Sequence, residues 1–195
     1  MSRDLPKYNK TTSISEFLKS PDSFMELDLR YQKLGAQQID ALANVLKDNT
    51  TIRWLSFLGC EIGDEGVKEV AEVLKTNRTV EMLDLALNRI SNKGALLLSD
   101  AIKVNTKLRV LHLPSNEIVE EGVEALNEAV EVNQTIKILN LTNNAIRSNE
   151  ETKSIFAELA FVDKLENTAT ILLLNDSLKK VSFLGGKAPE GDDFD

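Results

Sequence analysis

Val80-Glu81-Met82-Leu83-Asp84-Leu85-Ala86-Leu87-Asn88-Arg89-Ile90 sets out an apolar residue, two free positions, Leu-x-Leu, two more free positions, Asn, one free position and Ile. The same frame opens at Phe24, Ile52, Leu108 and Ile136, so five starts succeed one another every 28 residues without a gap. A fixed period of this length implies one supersecondary unit stacked on copies of itself. Within each unit the Leu-x-Leu alternation predicts a short strand, and the second half has helical spacing. Val67, Val70, Ala71, Val73 and Leu74 fall on one helical face in the second unit, as do Val123, Leu126, Ala129 and Val130 in the fourth. Between them stand Glu65, Lys68, Glu69 and Glu72, then Glu120, Glu121, Glu124, Glu128 and Glu131, a solvated exterior.

Both ends of the array depart from the frame. Residues 1–12 have no period and are expected to be a flexible start. Thr12 to Leu18 predicts a short helix, with Ser13 and Glu16 at capping-box spacing, covering the open end of the first strand. Gly66, Gly94 and Gly122 share one position just before the helix, where a tight turn would want no Cβ. Asn49, Asn77, Asn105 and Asn133 close the helices, where the left-handed conformation is expected. Each precedes the next strand, which explains the Asn-x-Thr triplets without glycans. A helix is expected from Arg147 to Val162, with Ile155, Phe156, Leu159 and Ala160 on one side. Ile171 to Leu174 reads as a displaced sixth strand or as part of a capping helix, and Phe183 and Leu184 as the end of the cap; a short apolar run does not decide this. The domain is expected to span 13–184, with repeats from 24 to about 160, and 185–195 to form a flexible acidic tail.

The chain has 195 residues, 42% apolar, 28% charged and only 5% aromatic, with 9 Gly and 4 Pro, which suits a single domain with a regular leucine core. A formal charge of −8 and a pI near 4.9 argue against a nucleic-acid or anionic-membrane partner, since both call for clustered Lys and Arg. Cys60 is the one cysteine, so no disulfide and no Cys-based metal site is expected. No apolar stretch opens the chain and none is long enough to span a bilayer, so a cytoplasmic or nuclear monomer is expected.

The template and period make the chain similar to leucine-rich repeats of the ribonuclease-inhibitor-like class, which also includes the Ran GTPase-activating proteins. The match covers about residues 13–160. This resemblance implies an α/β fold: a curved right-handed leucine-rich-repeat solenoid with parallel strands on the concave side and helices on the convex side. It also implies binding of a protein or peptide on the strand face or adjoining loops. The cysteine richness of ribonuclease inhibitor is absent. So is the enlarged loop that carries the activators' arginine, although Arg89 and Arg147 fall in the equivalent type of loop.

No catalytic constellation emerges, and no cofactor or metal is expected. His112 is the only histidine and stands outward on the fourth strand without a second ligand type near it in the frame. Cys60 shares its frame position with Gln32, Asn88, Asn116 and Asn144 and is expected to be structural. The informative surface is the set of outward strand positions. Its first row is Glu26, Trp54, Met82, Val110 and Ile138; its middle row is Asp28, Ser56, Asp84, His112 and Asn140. The third is Arg30, Leu58, Ala86, Pro114 and Thr142, with Tyr31, Leu87, Ser115 and Asn143 beyond. Trp54, Leu58, Met82 and Leu87 are expected to form an apolar patch bordered by Asp28, Arg30, Arg53, Asp84 and Arg109, with His112 alongside. First-row residues could equally be apolar to pack side by side along the sheet. The expected function is a non-enzymatic interaction module. The alternatives are a small-GTPase regulator working through loop arginines such as Arg89, and a scaffold using its acidic helices or tail.

Overall fold

A computed structural model describes residues 11–145, 170–173 and 182–184. Helix α1 (Ile14–Lys19) and a single 3-10 turn (Pro21–Ser23) precede β1 (Glu26–Asp28). The chain then alternates helix and strand: α2 (Ala36–Asp48), β2 (Trp54–Ser56), α3 (Gly63–Thr76), β3 (Met82–Asp84), α4 (Asn92–Val104), β4 (Val110–His112), α5 (Glu120–Val132) and β5 (Ile138–Asn140). Strands β6 (Thr170–Leu173) and β7 (Ser182–Leu184) complete one sheet in the order β1 to β7. The first six strands run parallel, each residue pairing with its counterpart in the next unit as far as β5: Leu27, Leu55, Leu83, Leu111 and Leu139 lie in register. Strand β7 returns antiparallel to β6. The run at Ile171 is therefore a sixth strand, set beyond its frame position. The helix expected over 147–162 and the tail over 185–195 lie outside the described residues.

Parallel strands stack about 4.8 Å apart, whereas packed helices need roughly 8–10 Å between axes. The stack therefore bends toward its strands, which form the inner wall, with α2 to α5 outside. Between the two layers the frame leucines make a continuous core: Leu27, Leu55, Leu83, Leu111 and Leu139 are 0–1% exposed. Phe17 from α1 is fully buried at the open end, edge-on to Phe24. The terminal helix covers the first unit as expected. Its capping box does not form: the Ser13 hydroxyl pairs with the Ser15 hydroxyl instead. Thr12, expected in the flexible start, is tied to β1: its N–H donates to Asp28 O, and its hydroxyl accepts from the Asp28 N–H.

The asparagines that end the helices are extended, with φ between −62° and −82°, and not left-handed. Their side chains explain them. In Asn77, Oδ1 accepts from the Thr79 and Val80 N–H groups, which start the next strand, while Nδ2 donates to Leu46 O and Asn49 O of the unit before. Asn105 and Asn133 repeat the pattern one and two units on. Each thus donates to a carbonyl in the last turn of the previous helix, where intrahelical partners run out.

The shared glycines also differ from expectation, because they lie inside the first helical turn. A Cβ on Gly94 would meet Asp64 Oδ1 at 2.5 Å, and one on Gly122 would meet Asn92 Oδ1 at 2.6 Å. Asp64 Oδ1 accepts from the Ser91 and Gly94 N–H groups, and Asn92 Oδ1 from the Val119 N–H. In these two places one unit caps the next helix's N-terminus, and the glycine makes room for the capping oxygen.

Candidate functional site

The strand register sets Glu26, Trp54, Met82, Val110 and Ile138 side by side along one end of the inner wall. Met82 is 37% exposed, and Trp54, Val110 and Ile138 are half-buried. Trp54 does not enter the leucine layer, which Leu55 and Phe57 occupy beside it. Leu58 and Leu87 form a second strip at two successive frame positions, four residues beyond Trp54 and five beyond Met82, where each strand has turned into its connection. The predicted apolar patch is thus two strips crossing the same strands.

Between the strips runs the middle row, and it is partly closed. Asp28 and Ser56 are buried, while Asp84, His112 and Asn140 are half-buried. Four of these side chains accept the N–H of the residue two places on: Asp28 from Arg30, Ser56 from Leu58, Asp84 from Ala86 and Asn140 from Thr142. They turn the chain out of each strand, so their residue types have a local structural cause. Arg30 also grips Asp28 in bidentate fashion, Nε to Oδ1 and Nη2 to Oδ2, both at 2.8 Å. Arg53 reaches Glu81 at 3.1 Å across adjacent strands, and Arg109 is exposed one strand further on. The site residues named from sequence therefore share one wall, but Asp28 and Arg30 are already held by each other.

The second strip contains an outlier. Tyr31, Gly59, Leu87, Ser115 and Asn143 share one frame position and one conformation, with φ between 55° and 65°. Their N–H groups continue the ladder, Tyr31 to Leu58 O, Gly59 to Ala86 O and Leu87 to Pro114 O. Left-handed φ suits Gly or Asn, and costs other residues about 1–2 kcal/mol. Yet Tyr31 and Leu87 stand there 69% and 48% exposed, recovering little by burial. The Tyr31 ring lies over Gly59, where a Cβ would come within 2.7 Å of it. Sequence reasoning placed Tyr31 beyond the patch; the Gly, Ser and Asn at the same frame position were the signal that this row is left-handed.

Arg89 is exposed with φ 57°, in a β3–α4 connection of the same frame length as its neighbours, so it stands on no projecting arm. Cys60 is fully buried and its Sγ lies 2.9 Å from Leu29 O, to which the thiol donates. Burial pushes its pKa up from 9.0 to about 11. The thiol is expected to resist alkylation in the native protein at mildly alkaline pH and to react once the chain is unfolded, as a timed labelling experiment would show. The unfolded thiol loses its proton first, so rising pH favours unfolding. This contribution to stability is intact below pH 9.0 and fades as pH climbs toward about 11. Among the described residues no group of His, Cys, Asp and Glu is placed to hold a metal ion, and no helix is long and apolar enough to cross a membrane.

The period, the register and the two asparagine positions define a leucine-rich-repeat protein, and the profile of the family described as Leucine Rich repeat matches residues 48–71, 76–99, 104–126 and 132–149. The chain belongs to that family. No curated protein matches it in sequence. Among solved structures it is similar to the leiomodin-1 actin-binding site 2, with 20% identity over 83% of this chain and 75% of that one and a TM-score of 0.54. It is also similar to the tropomodulin C-terminal domain of Caenorhabditis elegans, with 21% identity over 73% and 84% and a TM-score of 0.59. At these identities the likeness is one of fold.

Proposed function

We propose that this chain is a non-enzymatic module that holds a protein or peptide on its inner strand wall, through Trp54 and Met82 in one strip and Tyr31, Leu58 and Leu87 in the other. The observation that carries the reading is the pair of large side chains kept exposed in a strained backbone conformation, Tyr31 and Leu87. The fold imposes the left-handed conformation at this position in every unit but calls for no large apolar side chain there, and that mismatch points to an external use. An aromatic, exposed apolar groups and flanking arginines are also the residue types that anchor interfaces. Because one structural neighbour is named for an actin-binding site, actin is the first partner to offer.

The test separates binding from folding. Leu87→Asn relieves the left-handed strain, so stability is expected to hold or to rise by up to about 1 kcal/mol. Binding is expected to weaken by about 2 kcal/mol, roughly thirtyfold, as for loss of an anchor. Trp54→Ala with Met82→Ala should weaken binding further at a modest stability cost. Ligands selected from a displayed peptide library, and purified actin in cosedimentation, would be titrated against each variant. Ligands that bind the wild type and all variants equally would place the interface elsewhere; failure of actin alone would retire actin.

A further inference from the structure

Asp28 on β1 and Asp84 on β3 share one frame position, yet the chain treats the two carboxylates differently. Each accepts, through Oδ1, the N–H of the residue two places on, at 3.2 and 3.0 Å. In the first unit that residue is Arg30, whose guanidinium binds both Asp28 oxygens, and Asp28 is left 7% exposed. In the third unit Ala86 stands at the frame position of Arg30 and has no charge to offer. Among the described residues no ion pair includes Asp84. It stays half-buried, so solvent still reaches it.

Asp84 also lies between the two apolar strips. Met82 precedes it on the same strand and the same face, about 7 Å away, and Leu87 follows it into the connection. Both of these side chains are exposed. Across the sheet the register neighbours of Asp84 are Ser56 and His112. A ligand that covered both strips with apolar groups alone would strip water from this carboxylate and return nothing for it. A ligand that brought a cation to Asp84 would keep the apolar contacts and satisfy the charge. Two carboxylate oxygens match the planar fork of a guanidinium better than the point charge of an ammonium, and Asp28 with Arg30 is an example within the same wall.

We infer that Asp84 is a specificity-determining residue of the strand wall, receiving an arginine side chain from a bound peptide segment whose neighbouring residues are apolar. The inference rests on the strand-wall reading and names the ligand chemistry within it. The guanidinium takes at Asp84 the part that Arg30 plays at Asp28, its aliphatic stem lies along Met82, and an apolar neighbour in the peptide meets Leu87.

A displayed library of random peptides, panned against the intact wild-type chain and against Asp84→Asn, tests it. Asparagine holds this frame position at Asn140 and accepts the same turn N–H, so thermal denaturation of Asp84→Asn is expected to match the wild type. Arginine flanked by apolar residues is expected among the wild-type binders, and its enrichment should vanish with Asp84→Asn. A wild-type binder should lose roughly tenfold or more in affinity for Asp84→Asn. Replacing its arginine with citrulline should cost as much against the wild type and nothing further against Asp84→Asn, since one contact cannot be lost twice. Binders weakened by Leu87→Asn but not by Asp84→Asn would overturn the arginine site and leave the strand wall standing; binders indifferent to both would remove both readings. A wild-type selection without arginine-bearing binders, or a citrulline loss undiminished in Asp84→Asn, would overturn the site as well.

Discussion

Asn88→Ala is expected to lower the free energy of unfolding by roughly 3–5 kcal/mol, the sum of several buried hydrogen bonds lost at about 1 kcal/mol each and a buried donor stranded at about 1–3 kcal/mol. Asn88 is fully buried and joins two repeats. Its Nδ2 donates to Phe57 O and Ala86 O, and its Oδ1 accepts from the Cys60 and Ile62 N–H groups. Its own N–H donates to Asn116 Oδ1, so the next repeat is attached in the same way. Phe57 O and Ala86 O keep other donors, from Cys60 and Gly59. Ile62, at the head of α3, is left with less. Asn88→Asp would keep the acceptor but lose both donated bonds and set a carboxylate at 0% exposure, so it is expected to be no milder. Urea unfolding monitored by far-UV circular dichroism measures both, and a loss below about 1 kcal/mol for Asn88→Ala would show that these bonds are readily replaced.

Leu83→Ala should cost about 3–5 kcal/mol, at the upper end for a buried leucine. Leu83 is fully buried at the middle of the array, between Leu55 and Leu111 in the sheet register. A cavity there closes poorly. The strands on either side are held by ladder hydrogen bonds, and the asparagines hold the turns, so neighbouring leucines cannot slide in without breaking both. Because each repeat touches mainly its neighbours, the loss is also expected to weaken the coupling between the two halves of the stack. Broadening of the urea transition, or its division in two, would report that. A single sharp transition shifted by less than about 2 kcal/mol would mean the layer relaxes around the gap.

Much of the architecture was legible along the chain because a period in sequence becomes a translation in space. Leu27, Leu55, Leu83, Leu111 and Leu139 had to superpose once the frame was recognised, and with them the outward row from Glu26 to Ile138. The asparagine positions were legible as positions but not as bonds. Asn77 reaches Leu46 O across 31 residues, a contact invisible to any reading that treats a helix end locally. The glycines were misread for the same reason: the oxygen that excludes a Cβ from Gly94 belongs to Asp64 in the unit before.

The candidate site divides along the same line. Alternation alone turned Trp54 and Met82 to the inner wall, since a strand's side chains point to opposite faces wherever it lies. Whether an outward residue stays available depended on its neighbours: Asp28 is claimed by Arg30, and Ser56 closes over its own turn, while Tyr31 and Leu87 are lifted into solvent by a left-handed backbone. The amino-acid order determined the repeat, the faces and the direction of the stack, because those follow from local geometry multiplied by a constant interval. Partnership between units was decided only by the folded stack, because a hydrogen bond or a steric exclusion requires two atoms brought together from distant parts of the chain.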